Sequence, residues 1–285
     1  MVGLFRPGAQ TMPQLVPLDP QDVGGLRRPL TSPLSTRALR DHVARYPHLA
    51  WRTPDGGEYV VGGWWRRRDD VGTVEELAGR RYAVALLERL LAAHATAGAR
   101  LVVLSPHEAG QRERFYLDHG FQHVDRIMRM EKLDAVAPPE PPAGPARLRV
   151  YADADCDAVL EVERHSFDWL WWNSAAELRA YATQPGVRIV VAELDRQLVG
   201  YSGSTVVRRD GHLDRLAVHD AWHGRGLGEL LLAEALRAML AAGARWIGLT
   251  TQTTNHAARA LYEKHGFVST ELEMAIVGRW LRTED

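Results

Sequence analysis

The stretch "HLDRLAVHDAWHGRGLGELLLAEALRAML", residues 212–240, runs from a strand-like segment (212–218) through a glycine-rich turn into a helix-like segment (229–240). Its centre, "HGRGLG" at 223–228, sets Gly224, Gly226 and Gly228 on alternate positions at the mouth of the helix. A helix over 226–241 buries Leu227, Leu230, Leu231, Leu236 and Leu240 and leaves Glu229, Glu234 and Arg237 in water. The first amides of such a helix have no partner inside it, and its dipole favours an anion at that end. Glycine lets the backbone approach a ligand closely, and Arg225 adds a charge. Taken alone, the stretch suits either a phosphate cradle or a ligand-free turn. A Walker loop needs Gly-Lys-Ser/Thr at its end, whereas Glu229 follows Gly228 here. A dinucleotide fingerprint needs G-x-G-x-x-G, whereas the spacing is G-x-G-x-G.

Outward from this loop the second half of the chain reads as an alternation of strands and helices. Strands are expected at 148–151, 187–194, 197–207, 212–218, 245–251 and 267–278, and helices at 155–165, 174–183, 226–241 and 256–265. Asp195-Arg196 separates two apolar runs and marks an antiparallel hairpin. The mixture predicts an α/β sheet with both faces at least partly covered.

The 285 residues allow one large domain or two of ordinary size. Charges nearly cancel, with 35 basic and 36 acidic side chains, so no nucleic-acid or membrane partner is expected. The basic run "WWRRRDD" at 64–70 reads as a solvated strand end. A single cysteine, Cys156, rules out an intrachain disulfide and a cysteine zinc site and fits a reducing, cytoplasmic setting. The scattered histidines give no metal-ligand spacing, so no metal is expected. The apolar run at the N-terminus is too short for a signal peptide, and no stretch approaches a membrane span.

"DAVAPPEPPAGPAR", 134–147, carries five prolines and reads as an extended linker between domains at 1–133 and 148–285. The halves share an order of elements. "GAR" at 98–100 and 243–245, Tyr116 and Tyr262, and "HGF" at 119–121 and 265–267 recur at a nearly constant offset, which indicates a tandem duplication.

A second motif narrows the cradle. "LDRLAVHDAWHGRGLGELLL" (213–232) followed by "TTNHAARALYEKHGF" (253–267) resembles the GNAT family, the acyl-CoA-dependent N-acyltransferases, over about 148–278. The family loop R/Q-x-x-G-x-G/A becomes His223-Gly224-Arg225-Gly226-Leu227-Gly228, with His223 in place of Arg or Gln. The second family motif is matched at Asn255, Ala258, Tyr262, Gly266 and Phe267. The resemblance implies two tandem GNAT-like domains, each a mixed, largely antiparallel twisted sheet flanked by helices. It also implies acetyl transfer from acetyl-CoA to a primary amine, on a small molecule or peptide, by direct attack in a ternary complex. Either a monomer or a homodimer fits it.

The same resemblance suggests roles. The CoA pyrophosphate would lie on the amides of 224–229, up to Glu229. The pantetheine arm would pair with Leu216 and Val218 across Ala217 and touch Asn255 and Ala258. Asn255 also suits an N-cap. Tyr262 is the candidate acid, since a phenol can donate to a departing thiolate. His212 and Asp214 are the candidate bases, expected on one strand face with Leu216 and Val218. Thr250 stands where a family Glu base is common. Trp169, Trp171 and Trp172 could wall an acceptor pocket, although aromatic clusters also serve as core. The first half keeps Tyr116, but its loop region has only Gly79, and Ala109 stands near the place of Asn255. It reads as a degenerate copy. Two other readings stay open here: a mycothiol-synthase-like tandem enzyme, and a CoA-binding sensor that has lost catalysis.

Overall fold

The computed structural model describes residues 14–132, 134, 136, 138 and 146–281, so most of the linker expected at 134–147 lies outside the described residues. The chain forms two compact units. One holds residues 1–65, 69–124 and 276–285, and the other holds 66–68 and 125–275. These bounds depart from the expected 1–133 and 148–285. The departure comes from sheet edges, which recruit strands by backbone hydrogen bonding and leave no mark in composition.

In the first unit, β1 (Val16–Pro17), β2 (Ala50–Arg52), β3 (Tyr59–Trp64) and β4 (Val71–Ala78) pair antiparallel in that order. β5 (Leu101–Leu104) lies parallel to β4, and Gly278–Trp280 pairs antiparallel with β5. The helices are α1 (Thr36–Arg45), α2 (Ala83–Thr96) and α3 (Pro106–Leu117). Leu39 and Val43 of α1 pack with Tyr59 and Val61 in one core cluster. On α2, His94 is fully buried, and its Nε2–H donates to the Thr73 carbonyl at 3.2 Å. A Cβ at Gly72 would fall 2.4 Å from its ring, which explains glycine in the middle of that strand.

Burial holds the His94 imidazole down to about 4, so it stays neutral in the fold. The unfolded chain binds that proton near pH 6.5, so the stability from His94 is complete above that value. It is lost as the pH falls from 6.5 toward 4, by about 3 kcal/mol in all. Urea unfolding at pH 7 and 4.5 reads this directly. His94→Gln should flatten the difference, and an unchanged slope would mean that another group is responsible.

In the second unit the sheet order is β12 (Val268–Trp280, its residues up to Ala275), β6 (Gln122–Lys132, its residues from Asp125), β11 (Trp246–Gln252), β10 (Asp210–Val218), β9 (Gln197–Val207), β8 (Val187–Leu194) and β7 (Arg147–Val150). β10 and β11 are parallel, and the pairs β6–β11, β10–β9, β9–β8 and β8–β7 are antiparallel. One face carries α4 (Cys156–Ser166) and α5 (Ala175–Ala182), whose Val159, Leu160 and Leu178 pack on Ile189, Val191 and Tyr201. The other carries α6 (Leu227–Ala241) and α7 (His256–Lys264). There Leu232, Leu236, Met239 and Tyr262 pack on Leu213, Ile247 and Leu249. Residues 187–194 read as a near-continuous apolar run because successive side chains enter opposite covered faces. The hairpin turn at Asp195-Arg196 has both φ values positive (51° and 67°), as a two-residue turn between twisted strands requires. Among the described residues no helix is long and apolar enough to cross a membrane.

Candidate active site

β10 and β11 pair only from Asp210↔Trp246 to Leu213↔Leu249. Beyond that point they part, and 214–218 keeps its other neighbour, β9. The pairing with β9 shifts between Leu213 and Arg215, so Asp214 is a bulged residue. The bulge corrects the expectation that His212, Asp214, Leu216 and Val218 share a face. His212 and Asp214 turn toward α5, where Tyr181 Oη donates to Asp214 Oδ2 at 2.6 Å. Leu216 and Val218 pack on the α6 side.

A channel of about 320 Å3 runs from the glycine loop along Leu216, Ala217 and Val218 to Tyr262. Gly224 and Gly226 have φ of +73° and +75°, the left-handed region, and a Cβ at either would meet nothing within 4 Å. Backbone direction, rather than space, is what demands glycine at these two positions. Gly226 is also the N-cap of α6 and offers no side chain to the first amides, whereas Ser35, Ser105, Ser174 and Asn255 cap α1, α3, α5 and α7 with side-chain oxygens. The amides at the start of α6 therefore remain for an anion. His223 folds back: its Nε2 lies 2.8 Å from the Val218 carbonyl, which also accepts from Ser166 Oγ at 2.9 Å. Both lone pairs of that carbonyl are thus used. Arg225 lies over the Trp222 ring, and Glu229 pairs with Lys264 at 2.8 Å, so neither side chain lines the channel. The turn before the loop is held by His165, His219 and Asp220. The two imidazoles stack at 4.0 Å, and the donor atoms of all three lie within 4.8 Å of one another.

At its inner end the channel meets a polar cleft of about 80 Å3. Phe167, Leu216, Asn255, Ala258 and Tyr262 line both. Asn255 Oδ1 accepts from the Ala258 amide at 3.2 Å, which sets the first turn of α7 and so places Tyr262 a turn later. Burial pushes the Tyr262 phenol up to about 12. Asp214 lines the cleft, with one oxygen taken by Tyr181 and Thr205 hydroxyls at 2.6 Å each and the other 2.9 Å from His212 Nδ1. Burial and the Asp214 charge raise the Tyr181 pKa, so that hydroxyl stays a donor. His212 itself does not reach the cleft. It is 44% exposed and opens into a separate cavity with Arg129, Glu131 and Trp246.

Of the three tryptophans expected at the acceptor pocket, only Trp171 lines the cleft. Trp169 and Trp172 lie beneath the Arg68 guanidinium, at 4.6 and 5.9 Å. The run "WWRRRDD" is not a solvated strand end. Arg66 Nη1 donates to Asn173 Oδ1 at 2.8 Å, its carbonyl accepts from Ser174 Oγ, and Arg66 itself lines the cleft. Arg67 pairs with Glu177 at 3.1 Å. Behind the cleft, Glu163 is completely buried (0%) and accepts from Arg215 at 2.6 Å, from the Asn173 backbone and side-chain amides, and from Tyr201 Oη. Sequence reading missed Arg66, Arg215 and Glu163. Glu163 had left a trace, standing one turn after Val159 on the apolar stripe of α4.

The Acetyltransferase (GNAT) family profile matches residues 150–267. An uncharacterized N-acetyltransferase of Methanocaldococcus jannaschii, MJ1530, is 30% identical over 126 residues, 44% of this chain and 80% of that protein. The chain belongs to the GNAT family. Among solved structures, a GCN5-related N-acetyltransferase from Kribbella flavida superposes with a TM-score of 0.68 at 14% identity, over 94% of this chain and 70% of that one. Another from Sphaerobacter thermophilus gives 0.61 at 18%, over 96% and 98%. A tandem GNAT protein from the clavulanic acid biosynthesis pathway gives 0.58 at 17%, over 95% and 99%. A GNAT fold therefore extends over both halves, as the repeated "GAR" and "HGF" texts implied. The GNAT family uses acetyl-CoA as its acetyl donor.

The first unit has a similar splay, and a cavity of about 480 Å3 lies along it, lined by Leu77, Gly79, Glu108 and Arg112 among others. β4 and β5 pair as far as Val74↔Leu104. Past that point the Leu77 amide donates to Glu108 Oε2, the Leu77 carbonyl accepts from Arg112 at 3.0 Å, and Tyr116 Oη donates to Glu108 Oε1 at 2.6 Å. At the start of α2, the Glu58 carboxylate takes the Arg81 and Tyr82 amides at 3.0 and 2.7 Å. Side-chain carboxylates thus engage the Leu77 amide beside this cavity and the amides before α2.

Proposed function

We propose that this GNAT protein is an acetyl-CoA-dependent N-acetyltransferase with one working site, in its second unit. The observation that carries the reading is the meeting of the glycine-loop channel with the polar cleft at Tyr262. The Gly224–Glu229 amides hold the diphosphate, Leu216 and Asn255 guide the arm, and the amine enters from the cleft. Asp214 orients the amine and takes its proton, and His212, on the solvent side of Asp214, carries that proton out. Tyr262 bonds the departing sulfur. Its pKa of about 12 exceeds that of an ordinary thiol, so it keeps its proton and stabilises the thiolate as a hydrogen-bond donor.

Calorimetry with acetyl-CoA, followed by CoA release over a panel of amines, tests this. One acetyl-CoA should bind per chain, because Glu58 already holds the amides before α2 where the second unit offers a glycine loop. A stoichiometry of two would place a second cofactor in the first unit's cavity. Binding without release on any amine would point to a sensor instead, a reading that His223 in the loop's opening position favours.

A further inference from the structure

We infer that His165, His219 and Asp220 form a binding site for a zinc-type divalent cation, which clamps the end of α4 to the turn leading into the glycine loop. The site lies outside the reacting cleft and does not depend on the acetyltransferase reading. Among the described residues it is the one place where three side chains of metal-ligating type meet, with their donor atoms within 4.8 Å of one another. His165 stands on the last turn of α4, whereas His219 and Asp220 directly follow β10, so no spacing in the sequence announces the cluster.

The hydrogen bonds around the cluster decide which atoms face inward. His165 Nε2 lies 3.2 Å from Glu161 Oε1, and a carboxylate only accepts, so in the neutral ring Nε2 carries the proton and Nδ1 keeps its lone pair. His219 Nδ1 accepts from the Ala221 amide at 3.2 Å, so it too presents a lone pair. These two nitrogens lie 3.4 and 2.9 Å from one oxygen, Asp220 Oδ1. Two imidazole lone pairs and a carboxylate oxygen thus crowd together, and such atoms repel unless a cation lies between them. The Ala221 amide also donates to Asp220 Oδ1 at 2.7 Å, so it keeps an acceptor when His219 Nδ1 turns to a metal. Glu161 fixes the His165 tautomer from behind, as a carboxylate commonly does for a metal-bound imidazole, and Arg164 steadies it at 2.7 Å.

The distances suit the ion. Zinc bonds of about 2.0–2.1 Å in a tetrahedron set the ligand atoms about 3.4 Å apart, so the two edges that meet at Asp220 are nearly in place. The rings themselves stack at 4.0 Å, and a tilt of His165, which is 40% exposed, closes the third edge. Two imidazoles and one carboxylate suit zinc, whereas magnesium and calcium take oxygen ligands. Water completes the shell. Ser166, beside His165, and Val218, beside His219, both line the glycine-loop channel, so the ion ties together two segments of its wall.

The test titrates untagged full-length protein, stripped with EDTA and dialysed, with Zn2+ and with Mg2+ near neutral pH. Calorimetry gives affinity and stoichiometry, and thermal melting gives the effect on stability. One Zn2+ should bind at the cluster in the micromolar range, far more tightly than Mg2+. It should raise Tm by about 5 °C at about a hundredfold excess over Kd. His165→Ala and Asp220→Asn should each weaken Zn2+ binding by about 10-fold or more and abolish the Tm gain. Glu161→Gln should weaken it by a smaller factor. His123→Ala, which removes an exposed histidine paired with Glu113 outside the cluster, should change nothing. Melting without metal reports that each variant is folded, and the two ligand variants lie on different elements, so either one suffices. No micromolar Zn2+ binding overturns the inference. So does Zn2+ binding that both ligand variants retain, which places the ion elsewhere, and so does Mg2+ binding that matches Zn2+, which removes the imidazoles from the site.

Discussion

Glu163→Ala should lower the stability of the second unit by about 3–5 kcal/mol, the cost of stranding a buried charge. The carboxylate has no exposed surface, and the Arg215 side chain it neutralises is only 10% exposed. Without Glu163, Arg215 keeps neutral partners, the Trp171 carbonyl at 2.8 Å and the Tyr201 hydroxyl oxygen at 3.3 Å, and the two Asn173 donors and the Tyr201 hydroxyl lose their acceptor. Each stranded donor adds to the loss because no water replaces the bond in a packed interior. Glu163→Gln keeps the shape and some of the hydrogen bonds but leaves the Arg215 charge uncompensated, so it should fall between wild type and Glu163→Ala. Urea unfolding, followed through tryptophan fluorescence, reads the difference. A loss below about 1 kcal/mol for Glu163→Ala would show that Arg215 finds water or another partner.

Tyr262→Phe should reduce kcat by about 100-fold and leave the acetyl-CoA dissociation constant within about threefold, since one donor to a developing anion is typically worth that much. The hydroxyl is the only polar atom removed, and the ring stays packed beside Phe267. The phenol titrates near 12, so the alkaline limb of the wild-type pH–rate profile below pH 10 should be unaffected by this residue. Steady-state CoA release together with calorimetry separates the two quantities. Equal turnover in the two proteins would remove Tyr262 from the chemistry.

Much of the second unit was legible because its signals are local. Apolar periodicity placed β8–β11 and α4–α7 within a residue or two of where they stand. The glycine spacing and the Asn255–Tyr262 motif located the channel. What stayed hidden depends on distance or on backbone irregularity. Arg66 and Asn173 are 107 positions apart, so no window holds both. The bulge at Asp214 has no glycine to announce it, yet it puts His212 and Asp214 on one face and Leu216 and Val218 on the other. The carboxylate bonds beside the first unit's cavity were hidden too. Glu58 and Glu108 look like surface acids in the text, and only the fold shows which amides they occupy.

The handover of β6 and β12 between units bears on where the chain can be divided. The first unit's sheet takes Gly278–Trp280, which follow the second unit along the chain. The second unit takes Ile127–Lys132 as the neighbour of β11 and Arg66 as part of its cleft, both from before residue 150. A chain cut to the span that the family profile recognises, 150–267, would therefore lose a strand of its own sheet and part of the cleft lining.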